Sequence, residues 1–115
     1  MQGKRLERVN QLIREEVSLL LQRELKDPRL GFVTVTEVET SPDLRMAKVF
    51  VSVLGNEEQW AASLAALGSA RGFIRNWLRQ NLDLRVTPVL EFRADRSMEH
   101  AARIQELLKQ INTPR

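Results

Sequence analysis

Leu67-Gly68-Ser69-Ala70-Arg71-Gly72-Phe73-Ile74-Arg75-Asn76-Trp77-Leu78, residues 67–78, reads as a helix that is interrupted and then resumes. Two glycines within five residues each lower helix propensity by about 1 kcal/mol, the usual composition of a kink or a tight interhelical turn. Beyond the break, Phe73, Ile74, Trp77 and Leu78 repeat at helical spacing, so the chain continues as a second helix rather than a loop. A strand that leaves through helices and returns to the same sheet normally does so by a right-handed parallel crossover. This kinked pair is therefore expected to join two parallel, neighbouring strands.

Upstream, Asn56 can cap the first helix of the pair, with Gln59 completing a capping-box-like arrangement and Glu57 and Glu58 in the first turn. That helix runs through Trp60, Leu64 and Leu67. Before it, from Arg45 to about Leu54, Ala47, Val49, Val51 and Val53 point one way while Met46, Lys48, Phe50 and Ser52 point the other, as a strand requires. Phe32-Val33-Thr34-Val35-Thr36-Glu37-Val38 is a second β-branched run with imperfect alternation. The turn residues Thr40-Ser41-Pro42-Asp43 join the two runs as an antiparallel hairpin. At the start of the chain, Leu6, Val9, Leu12, Ile13, Val17, Leu20, Leu21 and Leu25 form one apolar helical stripe, stopped by Asp27-Pro28.

Downstream, a third strand is expected from about Arg85 to Arg93, where Pro88, lacking an N–H, favours a sheet edge. A last helix begins near Ser97, a good N-cap, and carries Ile104, Leu107, Leu108 and Ile111 as its stripe. The predicted order is helix, strand, strand, kinked helix pair, strand, helix. An α+β fold, with a three-stranded mixed sheet covered on one face by helices, accommodates it. No linker or repeat interrupts the chain, so residues 1–115 are expected to form a single domain with a short disordered C-terminal end at about 112–115.

Composition narrows the chemistry. The 115 residues include no Cys and one His, with 43% hydrophobic and 29% charged residues. Zero Cys excludes disulfides, thiolate metal sites and thiol catalysis, and makes a reducing compartment the expectation. No apolar run approaches the roughly 18 residues of a membrane span, and Met1-Gln2-Gly3-Lys4-Arg5 leads into an amphipathic pattern, so the chain reads as soluble and cytoplasmic. His100 has no partner for metal ligation or nucleophile activation and reads as a helix-surface residue. Glu15–Glu16 and Glu57–Glu58 are sequential neighbours on helices and do not face each other, which argues against a shared acid–base site. No phosphate loop, dinucleotide fingerprint or nucleophile elbow is present. The expectation is a protein that is not an enzyme, with no metal, cofactor or small-molecule substrate.

The net charge of +3 resolves into zones. Residues 1–31 carry seven Lys/Arg against five acids, residues 55–68 only two acids, and residues 69–93 five Arg against two acids. Arg71, Arg75 and Arg79, spaced by four and opposite the apolar stripe, would project on nearly one helix face. Such a row can track a phosphate backbone; its bland alternative is a solvated helix face. Lys4, Arg5 and Arg8 form a second, weaker basic cluster. Trp60, Phe73, Trp77 and Phe92 sit in apolar periodicity and are expected in the core, leaving few aromatics to stack on bases.

Asp27-Pro28-Arg29-Leu30, Val35-Thr36-Glu37-Val38, Ser41-Pro42-Asp43-Leu44 and Ala47-Lys48-Val49-Phe50-Val51-Ser52 together resemble the bacterial ribosome-binding factor A family. Arg5-Leu6-Glu7-Arg8-Val9, Pro88-Val89-Leu90-Glu91-Phe92 and Asp95-Arg96-Ser97 extend the resemblance over nearly the whole chain. It implies a type II KH-like domain in which Ala70-Arg71-Gly72 stands at an Ala-x-Gly kink. Gly68 and Gly72 have three residues between them, not two, so the Gly-x-x-Gly clamp of ordinary KH domains is missing and recognition should lean on side chains. The resemblance also implies a monomeric, cytoplasmic assembly factor that binds the small (30S) ribosomal subunit and 16S rRNA, assists late maturation and rRNA processing, and serves cold adaptation.

Under that reading, RNA contacts fall to Lys4, Arg5, Arg8, Arg71, Arg75 and Arg79, and Ala70 and Gly72 shape the kink. A β-branched residue at Gly72 is expected to disturb it. Two alternatives stay open: a KH-like protein-interaction adaptor without direct RNA binding, and a helix-turn-helix DNA binder, which three strands in this order fit poorly.

Overall fold

In the computed structural model, which describes residues 2–112, the chain forms α1 (Gln2–Arg23), β1 (Phe32–Thr40), β2 (Met46–Leu54), α2 (Glu57–Ser69), α3 (Arg71–Asn81), β3 (Val89–Ala94) and α4 (Ser97–Asn112). The expected C-terminal end at about 112–115 lies mostly outside the described residues. The element order is the expected one, and among the described residues no helix is long and apolar enough to cross a membrane.

The sheet order is β1-β2-β3, with β1 antiparallel to β2 and β3 parallel to it. The crossover through α2 and α3 thus places the third strand beside the second, and β3 lies at an edge. Pro88 sits just before that strand rather than inside it, because β3 begins at Val89, later than the expected Arg85.

The imperfect alternation of β1 has a local cause. The register shifts between Val35 and Glu37, leaving Thr36 as an extra residue. Inward positions are therefore Val33 and Val35 before the bulge and Val38 and Thr40 after it, a change of parity that a β-bulge enforces. In β2, Ala47, Val49, Val51 and Val53 are all buried, as their alternation requires.

Val9, Ile13, Val17 and Leu20 of α1, Leu67 of α2, and Ile74 and Leu78 of α3 meet the inward face of the sheet in one core. At the start of α2 the capping box is complete: Gln59 N–H donates to Asn56 Oδ1 at 2.9 Å, and Asn56 N–H donates to Gln59 Oε1 at 2.7 Å. The break between α2 and α3 falls at Ala70, with φ −90° and ψ 1°.

The last helix departs from expectation. Its apolar stripe forms the predicted helix but covers nothing: Ile104 is 58% and Ile111 77% exposed, and Leu107 and Leu108 are half exposed. Its start is anchored, by Trp60 Nε1–H donating to Glu99 Oε1 at 3.0 Å and by Arg96, just before the helix, which bonds Glu57 and stacks on the Trp60 ring. Ser97 begins the helix rather than capping it, and its N–H donates to Asp95 Oδ1. The helices that cover the sheet are α1, α2 and α3.

Candidate nucleic-acid interface

Ile74 and Leu78 turn one face of α3 into the core, and Arg75 and Arg79, each one residue further on, lie about 100° round the helix from it. Arg71 and Arg79 are exposed and, among the described residues, make no hydrogen bond or ion pair. Arg75, between them, is held. Its Nε and Nη2 donate to the Thr87 carbonyl at 3.3 and 3.1 Å, and the side chain is partly buried. The row read from the sequence thus has two free ends and a tethered middle.

The N-cap residue of α3 is Ala70, which also ends α2, and no side chain caps the helix. The surface above is open: a Cβ built on Gly68 or Gly72 would meet nothing within 4 Å. That removes the steric reason for expecting a side chain at Gly72 to disturb the kink. Phe73, in the same turn, is 52% exposed rather than in the core. Its neighbour Ile74 takes the inward position, and one helical residue further round places the ring at the boundary. Trp60 is buried as expected, while Trp77 and Phe92 are partly buried against the core.

Lys4, Arg5 and Arg8 are exposed on the first two turns of α1 and make no hydrogen bond or ion pair among the described residues. Helix α1 touches α3 where Trp77 Nε1–H donates to Glu16 Oε1 at 2.9 Å. Twelve residues separate Lys4 from Glu16, about 18 Å along a helix. The two basic clusters lie on contacting helices but are not joined at that contact.

Other cations are neutralised within the fold. Arg96 pairs with Glu57 and Glu99, Arg29 with Asp27, and Arg93 with Glu91. These bonds hold the carboxyls of Glu57 and Asp27 below the usual carboxylate range, the hydrogen bond from the Arg side chain being the main cause in each. Asp95 is lowered likewise, by the hydroxyl of Thr36 and then by Ser97. Every resolved shift among the described residues favours the charged form, and none poises a group for proton transfer near neutrality. His100 is an exposed residue of α4, as expected.

Two further exposed arginines lie in the loops that lead into β2 and β3. Arg45 precedes β2, and its carbonyl accepts the Val89 N–H at 2.9 Å; Arg85 lies in the turn between α3 and β3. The parallel pairing of β2 and β3 brings the heads of these strands together, with Met46 opposite Val89. The signal for Arg45 was available in the sequence, because the predicted crossover already placed the third strand beside the second.

Comparison with known proteins agrees across the chain. A family model described as ribosome-binding factor A matches residues 5–108. The ribosome-binding factor A of Thermomicrobium roseum is 50% identical over 115 residues, covering 100% of this chain and 89% of that protein. That of Brevibacillus brevis is 48% identical over 113 residues, covering 98% and 93%. The crystal structure of ribosome-binding factor A from Thermus thermophilus superposes with a TM-score of 0.69 at 28% identity, over 77% of this chain and 94% of that one. A homology model of the Thermus thermophilus factor, fitted into a cryo-EM map of its complex with the 30S subunit, matches with a TM-score of 0.63 at 30% identity, over 75% of this chain and 90% of that one.

Proposed function

Because this chain belongs to the ribosome-binding factor A family, we propose that it binds the small ribosomal subunit through 16S rRNA and assists late maturation, acting by binding alone. The observation that carries the reading is the outward face of α3, where Arg71 and Arg79 are unpaired. Guanidiniums facing open surface suit phosphate oxygens. Lys4, Arg5 and Arg8 supply a second basic contact on α1. With no Gly-x-x-Gly clamp, the protein reads the shape and backbone of structured RNA.

A factor that binds one conformer of the immature subunit better than another shifts the population toward it, without a reaction of its own. A monomeric, cytoplasmic factor with few phosphate contacts fits reversible binding and departure after maturation, and roles in rRNA processing and cold adaptation follow from that place. The test is co-sedimentation with purified small subunits at graded salt, with and without nuclease. Salt-sensitive association lost on nuclease treatment supports the reading; association that survives nuclease overturns it.

One observation favours a second reading, a protein adaptor: the unburied stripe of Ile104, Leu107, Leu108 and Ile111 on α4 is suited to a protein groove. A nuclease-resistant complex that α4 alone supports would establish it.

A further inference from the structure

Thr87 precedes β3, outside the strand ladder, and its carbonyl takes its donors from a side chain. Two donors of one guanidinium converge on that oxygen from α3. Two residues further on, the Val89 N–H reaches across to the Arg45 carbonyl. One tether and one backbone bond therefore fix the 82–88 turn against α3 on one side and against the hairpin loop on the other.

What these loops carry is charge. Arg85 and Arg45 are both exposed, and neither side chain makes a hydrogen bond or ion pair among the described residues, although the Arg45 charge helps to lower the Asp43 carboxyl. Their loops also carry Asp83 and Asp43, and the Asp43 carboxylate is already engaged by the Ser41 hydroxyl and the Arg45 N–H. With Arg71 and Arg79 on α3, the helix to which Arg75 ties the turn, that makes four exposed arginines against Asp43 and Asp83 in the loops.

We propose that Arg75 is a positioning residue rather than a phosphate contact, and that it sets Arg85 and Arg45 beside Arg71 and Arg79 as one phosphate-binding surface. The proposal rests on the rRNA reading and refines it. It removes one arginine of the row from direct contact and adds two that lie far apart in sequence. The tethered guanidinium keeps its charge, but its Nε and Nη2 donors are spent on the carbonyl and cannot grip a phosphate, whereas the four exposed ones present theirs.

The test combines backbone hydrogen exchange with binding to purified small subunits across a salt titration. Arg75→Ala is expected to raise exchange of the Val89 amide several-fold, and Arg71→Ala to leave it unchanged. Arg45→Ala and Arg85→Ala are each expected to weaken subunit binding several-fold and to flatten the log–log salt dependence by about 0.7 to 0.9. Because Arg75 acts through Arg85, adding Arg75→Ala to Arg85→Ala should weaken binding by much less than the product of the two single losses.

Losses that multiply, together with unchanged Val89 exchange, would overturn the positioning role; parental binding and slope in Arg45→Ala and Arg85→Ala would overturn the wider surface. Should Arg75→Ala not fold, Arg75→Lys serves, since it keeps the charge but loses the fork. Raised exchange in it supports the tether, and parental exchange overturns it. If the parent protein binds subunits with no salt dependence, the rRNA reading itself fails and takes the phosphate-binding surface with it. Val89 exchange then still decides whether Arg75 holds the turn.

Discussion

Trp77 on α3 donates its indole N–H to the Glu16 carboxylate on α1 at 2.9 Å, bridging 61 residues of sequence. Both side chains are partly buried, so the bond sits where water competes less for either group. It fixes the helix carrying the arginine row against the helix carrying the N-terminal basic cluster. Replacing Trp77 with Phe removes the donor and leaves the carboxylate to find water, at a cost of roughly 1 to 2 kcal/mol. Glu16→Gln keeps an acceptor oxygen and should cost less. Urea denaturation checks both, with a lowered midpoint and an unchanged slope expected.

Two glycines make opposite predictions. Gly55 has φ +155°, and a Cβ there would clash with Gln59 Oε1, the atom that accepts the Asn56 N–H. Gly55→Ala should displace Gln59, break half of the capping box and cost roughly 1 to 2 kcal/mol. At Gly72 the space is open, so Gly72→Ala should be neutral or stabilise by about 0.4 to 1 kcal/mol through a less flexible unfolded chain. Thermal melts of the two variants should fall on opposite sides of the parent or, for Gly72→Ala, coincide with it.

Acid sensitivity should include a contribution from Asp95. Thr36 Oγ1 donates to its Oδ2 at 2.6 Å and the Ser97 N–H to its Oδ1 at 2.9 Å, and these bonds hold the carboxyl below its ordinary value. A carboxylate lowered on folding contributes stability that is complete above its unfolded value of about 3.9 and is lost as pH falls through the lower folded value. The parent should therefore exceed Asp95→Asn in stability at neutral pH, with the gap closing below about pH 4. Urea midpoints measured from neutral pH into that range check it; a gap constant with pH would contradict it.

Local patterns with one physical meaning were legible in the sequence. The Asn56–Gln59 cap, the alternation of β2 and the parallel crossover each follow from short-range chemistry or from chain handedness. The parity change in β1 was not legible, because a bulge at Thr36 depends on its partner strand as well as on its own residues. The stripe of α4 announced a helix but not its burial: amphipathicity states that a face can be covered, and the anchors at Trp60 and Glu57 direct the helix away from the core. At the candidate site, helical spacing put Arg71, Arg75 and Arg79 on one face correctly. It could not reveal that a carbonyl before a buried proline would claim the middle one.

The central claim is that Arg71 and Arg79 meet phosphates. It is tested most directly by the salt dependence of binding to purified small subunits, comparing the parent with Arg71→Ala/Arg79→Ala. Two lost phosphate contacts should flatten the log–log slope by about 1.4 to 1.8, with the fold retained by circular dichroism. A double variant that binds with the parent's affinity and slope would contradict the account.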